Sequence, residues 1–246
     1  MKKRGISQET LKLIACVTML IDHVGAAIVW NIIPKQGPEL IRAFQFYQLL
    51  RIVGRIAFPI YCFLLAEGVH YTRNPKRYAL RLAIGAVLSE IPFDFAFFGG
   101  WTLDYQNVML TLLLGFFALE AAAKCKNLLL KIVVILPFML LAECLETDYG
   151  GPGVAMIALF GLTREMPHKR LLQLVGMALI CEQGMSSGIQ IGQFWIRLEM
   201  FALIALIPIF LYSGRKATSS KAVQWGFYLF YPVHMAVLCL IRQFLG

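Results

Sequence analysis

Two histidines of this sequence stand inside long apolar stretches, where an ionisable side chain is costly to hold. His23 follows Asp22 in the first stretch, and His234 lies three residues after Tyr231 in the last. Near neutral pH an imidazole can take a proton from an amine or a hydroxyl, so each histidine is a candidate general base. We favour His23, with Asp22 beside it, as the catalytic position, whereas a structural hydrogen bond between helices explains His234 equally well.

Charged side chains also occur inside the second and third apolar stretches, in pairs four residues apart. Arg51 and Arg55 form one pair, and Glu90 and Asp94 form the other. Residues four apart lie on one helix face, so each pair points in one direction. A charge near the centre of a membrane costs upward of about 2.5 kcal/mol and is by default a functional hypothesis. A buried ion-pair clamp between the two helices explains these four residues equally well.

Several of these side chains are expected at one depth in the membrane. Counted along helices of alternating direction, the residues between the midplane and the outer third are His23, Arg55, Glu90, Asp94 and His234. A shared polar cavity requires such a common depth, whereas purely structural charges do not. We therefore predict a buried polar pocket toward the outer side of the membrane.

The elements that hold these residues follow from the composition. Of the 246 residues, 59% are hydrophobic and only 15% are charged, and the mean hydropathy is +0.69. Soluble domains have about 45–50% apolar and about 25% charged residues. The excess is too large for one buried core and excludes a disordered chain. We predict an all-α, polytopic membrane helical bundle that forms a single domain over residues 1–246.

Windows of about 20 apolar residues predict about nine transmembrane helices. Their approximate ranges are 10–31, 47–70, 78–98, 107–123, 128–145, 152–163, 171–186, 196–213 and 223–244. The sixth and seventh are short and contain glycine, so a broken or tilted helix is possible there, and the longest loop is 31–46 on the outer side. With the N-terminus inside and the C-terminus outside, most of the 23 Lys and Arg residues fall on the cytoplasmic side. The net charge of +9 therefore reflects topology, and nucleic acid is not a predicted partner.

Motifs of nucleophilic, nucleotide-binding and metal chemistry are absent from the sequence. It contains no GxSxG, Walker or HExxH motif, and its six cysteines show no CxxC spacing. A transferase that uses a base instead of a covalent nucleophile needs only an imidazole, an acceptor pocket and an acyl donor. We predict no metal site.

Blocks of sequence along nearly the whole chain resemble one family of membrane proteins. They are Leu11-Lys12-Leu13-Ile14-Ala15, Met19-Leu20-Ile21-Asp22-His23-Val24-Gly25, the run from Arg51 to Ile60, Glu67-Gly68, Tyr71-Thr72-Arg73-Asn74, Arg81-Leu82, the run from Ser89 to Asp94, Asn107-Val108 with Thr111-Leu112, Asp148-Tyr149-Gly150, Tyr212-Ser213-Gly214, and the run from Phe230 to His234. In this order they resemble the TraX family.

The resemblance implies an activity. TraX proteins are known as membrane acetylases of conjugative pilin that act on its N-terminal amine. The family is similar to acyltransferase family 3 and to the lysosomal heparan glucosamine acetyltransferase, which use a first-span histidine, cytosolic acetyl-CoA and an acceptor outside. His23 has the position of that histidine, and Lys12 stands at the spacing where acyltransferase family 3 has an arginine.

The resemblance therefore implies an acetyl-CoA-dependent acyltransferase of the cell membrane. His23 would be the general base, and the acceptor would be a pilin N-terminal amine or a cell-surface glycan. The residues expected to bind acetyl-CoA are Lys12, Arg73, Arg77 and Arg81, although positive-inside topology explains the arginines equally well. The residues expected to bind substrate are Arg51, Arg55, Glu67, Glu90, Asp94, Asn107, Asp148, Tyr149, Tyr231 and His234.

Two other classes of protein have similar intramembrane charges. A proton-coupled transporter or channel is the first alternative, although no duplicated motif is visible and nine spans do not divide into equal halves. A non-catalytic scaffold is the second, and it would not need charges at a common depth. Binding of CoA distinguishes the transferase from both.

Overall fold

The protein is almost entirely helical. A computed structural model describes residues 5–183, 188–191, 193–215 and 220–245, and 77% of these described residues are helical. The α-helices are α1 (Gln8–Val24), α2 (Trp30–Ile32), α3 (Glu39–Gly54), α4 (Ala57–Tyr71), α5 (Pro75–Phe97), α6 (Val108–Ala123), α7 (Leu128–Cys144), α8 (Gly150–Thr163), α9 (Lys169–Glu182), α10 (Leu206–Phe210) and α11 (Lys221–Leu245). A short antiparallel hairpin consists of β1 (Gly188–Ile191) and β2 (Phe194–Arg197).

The lengths and composition of the helices fit a multi-pass membrane protein, as predicted. Within the part of the chain that the structure describes, three helical runs are long and apolar enough to cross a membrane, at Gln8–Ile32, Glu39–Tyr71 and Ala222–Leu245. Shorter apolar helices occupy Val108–Ala123, Gly150–Thr163 and Leu198–Phe210. Large apolar side chains are exposed along α7, including Leu129 and Leu140. A lipid environment removes the cost of that exposure.

Irregular backbone does not lie where the short spans suggested it. The predicted sixth span is the continuous helix α8, and α9 covers the seventh as far as Glu182, while residues 184–186 of that span lie outside the described residues. In contrast, the first run contains a π-helical turn at Gly25–Val29, directly after α1. The eighth predicted span begins with a 3₁₀-helix at Leu198–Ala205. Such turns frequently accompany functional sites and hinges in helices.

Two predicted loops contain regular structure. The predicted outer loop 31–46 is interrupted at Glu39, where α3 begins directly after Pro38. A proline is favoured at a helix start because its missing N–H has no partner there in any case. Between the seventh and eighth predicted spans, residues 188–191 and 194–195 belong to the antiparallel hairpin. The β-branched and aromatic side chains of Ile189, Trp195 and Ile196 suit paired strands.

The helices form two compact units. The first contains residues 1–60, 91–101 and 186–246, and the second contains residues 61–90 and 102–185. Each unit therefore combines segments that are distant in the sequence. The single domain over residues 1–246 stays a prediction.

In the first unit, α3 and α11 pack against α1 in opposite directions. The α1–α3 pair is antiparallel, since Asp22 contacts Arg51 while Gly25 approaches Leu50. A β-carbon at Gly25 would lie 3.0 Å from Cβ of Leu50, so this glycine permits the close approach. The α1–α11 pair is parallel, because the contacts of α1 with α11 advance together along both helices. Parallel first and last helices agree with an odd number of crossings.

The core of the second unit lies among α6, α7 and α8. Its buried residues are Leu114, Ala118, Ala122, Ile135, Ala142, Val154 and Ala158. Small residues are frequent in this set, as expected for membrane helices that associate by close packing. Asn107 and Asn127 cap the first turns of α6 and α7 through their side-chain oxygens.

Candidate active site

The two intramembrane histidines contact each other directly. Nδ1 of His23 on α1 lies 2.7 Å from Nε2 of His234 on α11. Both side chains are buried, with 8% and 7% of the residue surface exposed. The two ring planes differ by 6°, and their centroids are 5.0 Å apart. The first and last helices of the chain therefore join two titratable groups at one place.

Aromatic rings surround the pair of histidines. Phe97 meets the ring of His23 edge-on at 5.4 Å, and Tyr231 meets it at 6.0 Å. Phe230 stacks on the ring of His234 at 4.8 Å. These contacts restrict both imidazoles to one orientation, because their rings cannot rotate without moving the neighbouring aromatic groups.

Asp22 is turned toward α3. Its Oδ2 accepts a hydrogen bond of 2.7 Å from Nη1 of Arg51 in a part-buried ion pair. The carboxyl group rests on Gly54, where any β-carbon would overlap it. The charge of Arg55 also acts on Asp22. From the sequence, an ion pair of Arg51 with Glu90 or Asp94 is one explanation of these charges. In the structure, the carboxylate that pairs with Arg51 is that of Asp22.

Lys12 also faces α11, but nearer its beginning. The Nζ atom of Lys12 lies 5.1 Å from the centroid of the Phe227 ring, which is a cation–π contact. Lys12 and His23 therefore share the face of α1 that packs on α11, as their spacing of about three turns predicts.

Asp94 and Arg55 belong to the same unit, and Asp94 is fully buried.

Glu90 and Asn107 contact each other in the second unit. The Asn107 side-chain amide donates hydrogen bonds to Oε2 of Glu90 and to the carbonyl of Ala86 on α5, the latter at 2.8 Å. Its side-chain oxygen accepts from the backbone N–H of Met109. Asn107 is fully buried and joins the start of α6 to α5. Glu90 lies in the second unit and Asp94 in the first, and the predicted common pocket stays a prediction.

Asp148 and Tyr149 form a tightly held turn before α8. Tyr105 donates a hydrogen bond of 3.0 Å to Oδ1 of Asp148, and Thr111 donates to its backbone carbonyl. Tyr149 has a left-handed backbone conformation with φ of 66°. A non-glycine residue there is strained and persists only where its surroundings fix it. The strain marks this turn as a candidate functional element of the second unit.

Glu67 belongs to a separate ion-pair network. Its Oε1 accepts a hydrogen bond of 2.7 Å from Nε of Arg164, which also bonds the Tyr71 hydroxyl at 2.8 Å and pairs with Glu165. Burial lowers the pKa of Arg164, but the hydrogen bond and charge of Glu67, with Tyr71 and Glu165, leave it raised above its usual value. Its contacts join α4 to the end of α8, which is a structural role.

The predicted acetyl-CoA arginines lie near the start of α5. Arg73, Arg77 and Arg81 are all exposed. The backbone N–H of Arg77 donates to the side chain of Asn74, which begins the helix, and the guanidinium of Arg81 lies over the Tyr78 ring. Exposed guanidinium groups within a few turns suit recognition of phosphates.

Some contacts at the site were not predicted from the sequence. The direct hydrogen bond between His23 and His234 joins residues 211 positions apart. Phe97 was not a predicted site residue, although it lies three residues after Asp94 on α5. Gly54 lies between Arg51 and Arg55 in the sequence. A glycine at this position is the sequence signal that could have indicated the close approach of another helix.

Comparison with known proteins gives the family. The chain matches the TraX protein family over residues 7–242. It belongs to the TraX family. A relative in Dichelobacter nodosus, named a probable fimbrial assembly protein FimC of serogroup H1, is 31% identical over 260 residues, which cover 96% of this chain and 95% of the relative.

A second relative matches only part of the TraX chain. It is the uncharacterized protein RP591 of Rickettsia prowazekii (strain Madrid E), 31% identical over 108 residues, or 44% of this chain and 34% of the relative. No solved structure matches this TraX protein. The family and the helices together establish a multi-pass membrane protein.

Proposed function

We propose that this TraX-family protein is a membrane-embedded acetyltransferase that uses His23 as its general base. The observation that carries the proposal is the buried pair of His23 and His234 at 2.7 Å, held between the first and last helices. Two titratable groups held together among aromatic rings are costly in a membrane, and such groups are by default functional.

In the proposed reaction, acetyl-CoA donates the acetyl group to an amine. The neutral amine nitrogen attacks the thioester carbonyl, so that a C–N bond forms and the C–S bond breaks. His23 takes the proton that the amine nitrogen loses, and the CoA thiolate that leaves takes up a proton in turn. A positioned base of this kind contributes about 10²–10⁴-fold to a rate.

The proposed donor site is the exposed arginine cluster at the start of α5. Arg73, Arg77 and Arg81 present three guanidinium groups to the surface. Arginine binds phosphate with two parallel hydrogen bonds, which suits the phosphates of CoA. Lys12 lies in the first unit, and its role toward the donor stays a prediction from the sequence.

The proposed acceptor is the N-terminal amine of a pilin. The name of the Dichelobacter nodosus relative, a probable fimbrial assembly protein, supports this choice over a cell-surface glycan. Asp148 and the strained Tyr149 are the proposed contacts for the acceptor, since a constrained turn can hold a fixed binding geometry.

The experiment that tests the proposal measures CoA release by the purified protein. Wild-type protein in detergent receives acetyl-CoA and a synthetic pilin N-terminal peptide, with the same peptide blocked at its α-amine as the matched control. We expect CoA release with the free amine only, and acetylation of the peptide by mass. A transporter or a scaffold would release no CoA with either peptide, and that result would refute the proposal.

A further inference from the structure

We propose that His234 is a positioning residue that holds His23 in the tautomer with its proton on Nδ1. The basic atom of His23 is then Nε2. The inference deepens the proposed function, on which its catalytic meaning rests, but the tautomer itself is a property of the resting protein and can be measured without any reaction.

One ring nitrogen of His234 faces the backbone carbonyl of Phe230. Nδ1 of His234 lies 2.7 Å from this oxygen, and a carbonyl oxygen can only accept a hydrogen bond. Nδ1 of His234 must therefore carry a proton. A neutral imidazole has one N–H, so Nε2 of His234 is left with a lone pair and can only accept.

The second hydrogen bond follows from the first. Nδ1 of His23 lies 2.7 Å from Nε2 of His234. Because that acceptor has no proton, Nδ1 of His23 must donate, and the lone pair of the neutral His23 ring lies on Nε2. His23 therefore donates to His234, and His234 donates to the carbonyl of Phe230. In other histidine sites too, the hydrogen bond at one ring nitrogen decides whether the second nitrogen donates or accepts.

His234 is held by its own helix, which makes it a fixed acceptor. Phe230 lies one turn before His234 on α11, so the carbonyl contact is internal to the helix. The ring of Phe230 also stacks on the imidazole at an interplanar angle of 20°. Pro232 lies between them inside the helix, and it has no N–H to donate the usual helical hydrogen bond to the carbonyl of Tyr228. Orientation of His234 therefore does not depend on His23.

This arrangement assigns distinct tasks to the two histidines. When Nε2 of His23 takes a proton from the acceptor amine, the resulting imidazolium keeps its Nδ1–H bond to His234. A hydrogen bond with a charged donor is roughly twice as strong as a neutral one, so the contact stabilises the charge as it develops. His234 takes no proton in this step, and this positioning role replaces the substrate contact expected from the sequence.

The tautomer is tested by nitrogen NMR of protein labelled with ¹⁵N-histidine. The chain has four histidines, and substitutions of the exposed His70 and His168 assign their signals and serve as controls. We expect the His23 signals of a protonated Nδ1 and an unprotonated Nε2 in wild type, and a shift toward the Nε2–H form in His234→Ala. A wild-type His23 protonated at Nε2 would overturn the inference.

Kinetics provide the second arm of the test. We expect His234→Ala to lower kcat for acetyl transfer by about 100-fold or more, with little change in KM for acetyl-CoA, because a catalytic histidine in the wrong tautomer loses its function. His234→Gln should recover part of kcat, since its amide oxygen can accept from Nδ1 of His23. Unchanged kcat in both variants would refute the positioning role.

The two arms also separate this inference from the proposed function. If wild-type protein transfers no acetyl group but shows the Nδ1–H tautomer, the proposed function fails and the arrangement of protons stands. If wild type is active and His23 carries its proton on Nε2, the function stands and the inference fails.

Discussion

The carboxyl group of Asp22 rests directly on the backbone of Gly54. No side chain separates α1 from α3 at this point, and the same carboxylate pairs with Arg51 at 2.7 Å. The residue that precedes His23 in the sequence therefore anchors α1 to the neighbouring helix. His23 itself faces α11. Asp22 thus has a structural contact with α3, whereas the adjacent His23 has the proposed catalytic role.

Substitution of Gly54 should release this anchor. The methyl group of Gly54→Ala would overlap the carboxyl group of Asp22, so we expect a loss of about 1–3 kcal/mol and a lower midpoint of thermal unfolding in detergent. Gly226→Ala on α11 is the matched control, because nothing lies near a β-carbon there. Equal midpoints for the two variants would contradict the proposed contact.

The ion pair of Asp22 and Arg51 should be strongly coupled. Both side chains are part-buried, so removing one partner leaves a poorly solvated charge, and we expect a cost between that of an exposed pair and the about 3–5 kcal/mol of a fully buried one. We expect Asp22→Asn and Arg51→Gln each to lower the free energy of unfolding, and the double variant to cost clearly less than the sum. A double-mutant cycle on chemical unfolding measures this coupling. Additive losses would show that the two side chains do not interact in the folded protein.

Arg164 should stabilise the second unit through its geometry as well as its charge. Arg164→Lys keeps the charge but cannot reproduce the separate contacts with Glu67 and Tyr71, so we expect a loss of about 1.5–3 kcal/mol. Tyr71→Phe removes only one of these hydrogen bonds and should cost less. Thermal unfolding of both variants checks the order, and a larger loss in Tyr71→Phe would be inconsistent with it.

The exposed arginines of α5 should act on donor binding alone. We expect Arg77→Ala combined with Arg81→Ala to raise KM for acetyl-CoA about 10-fold or more and to leave kcat nearly unchanged, because a pure binding contact affects the ground and transition states equally. Lys124→Ala with Lys126→Ala removes two basic residues after α6 and is the control. If both pairs raise KM equally, the effect is one of general surface charge.

The helices could be predicted closely from local pattern. The predicted span 128–145 is α7 (Leu128–Cys144), and 223–244 is α11 (Lys221–Leu245). Membrane helices satisfy their own backbone, so apolar length alone nearly determines their bounds. The start of α3 at Glu39 was missed because its first turns are less apolar than a span requires.

Partners across helices could not be predicted in the same way. Asp22, Glu90 and Asp94 are chemically similar candidates for an arginine, and only the packing of α1 on α3 selects Asp22. The sequence likewise indicated His23 and His234 separately. Their hydrogen bond depends on the parallel contact of the first and last helices, which no local pattern encodes. The roles of the remaining predicted site residues stay predictions.

The most direct test of the account is acetyl transfer by His23→Ala. Purified wild-type protein, His23→Ala and the control His70→Ala receive radiolabelled acetyl-CoA and a peptide with a free pilin N-terminus, and the label transferred to the peptide is counted. We predict transfer by wild type and by His70→Ala, and a fall of about 10²–10⁴-fold in His23→Ala, which is the contribution of a positioned base. Wild-type turnover in His23→Ala would contradict the central claim that this buried histidine is the base.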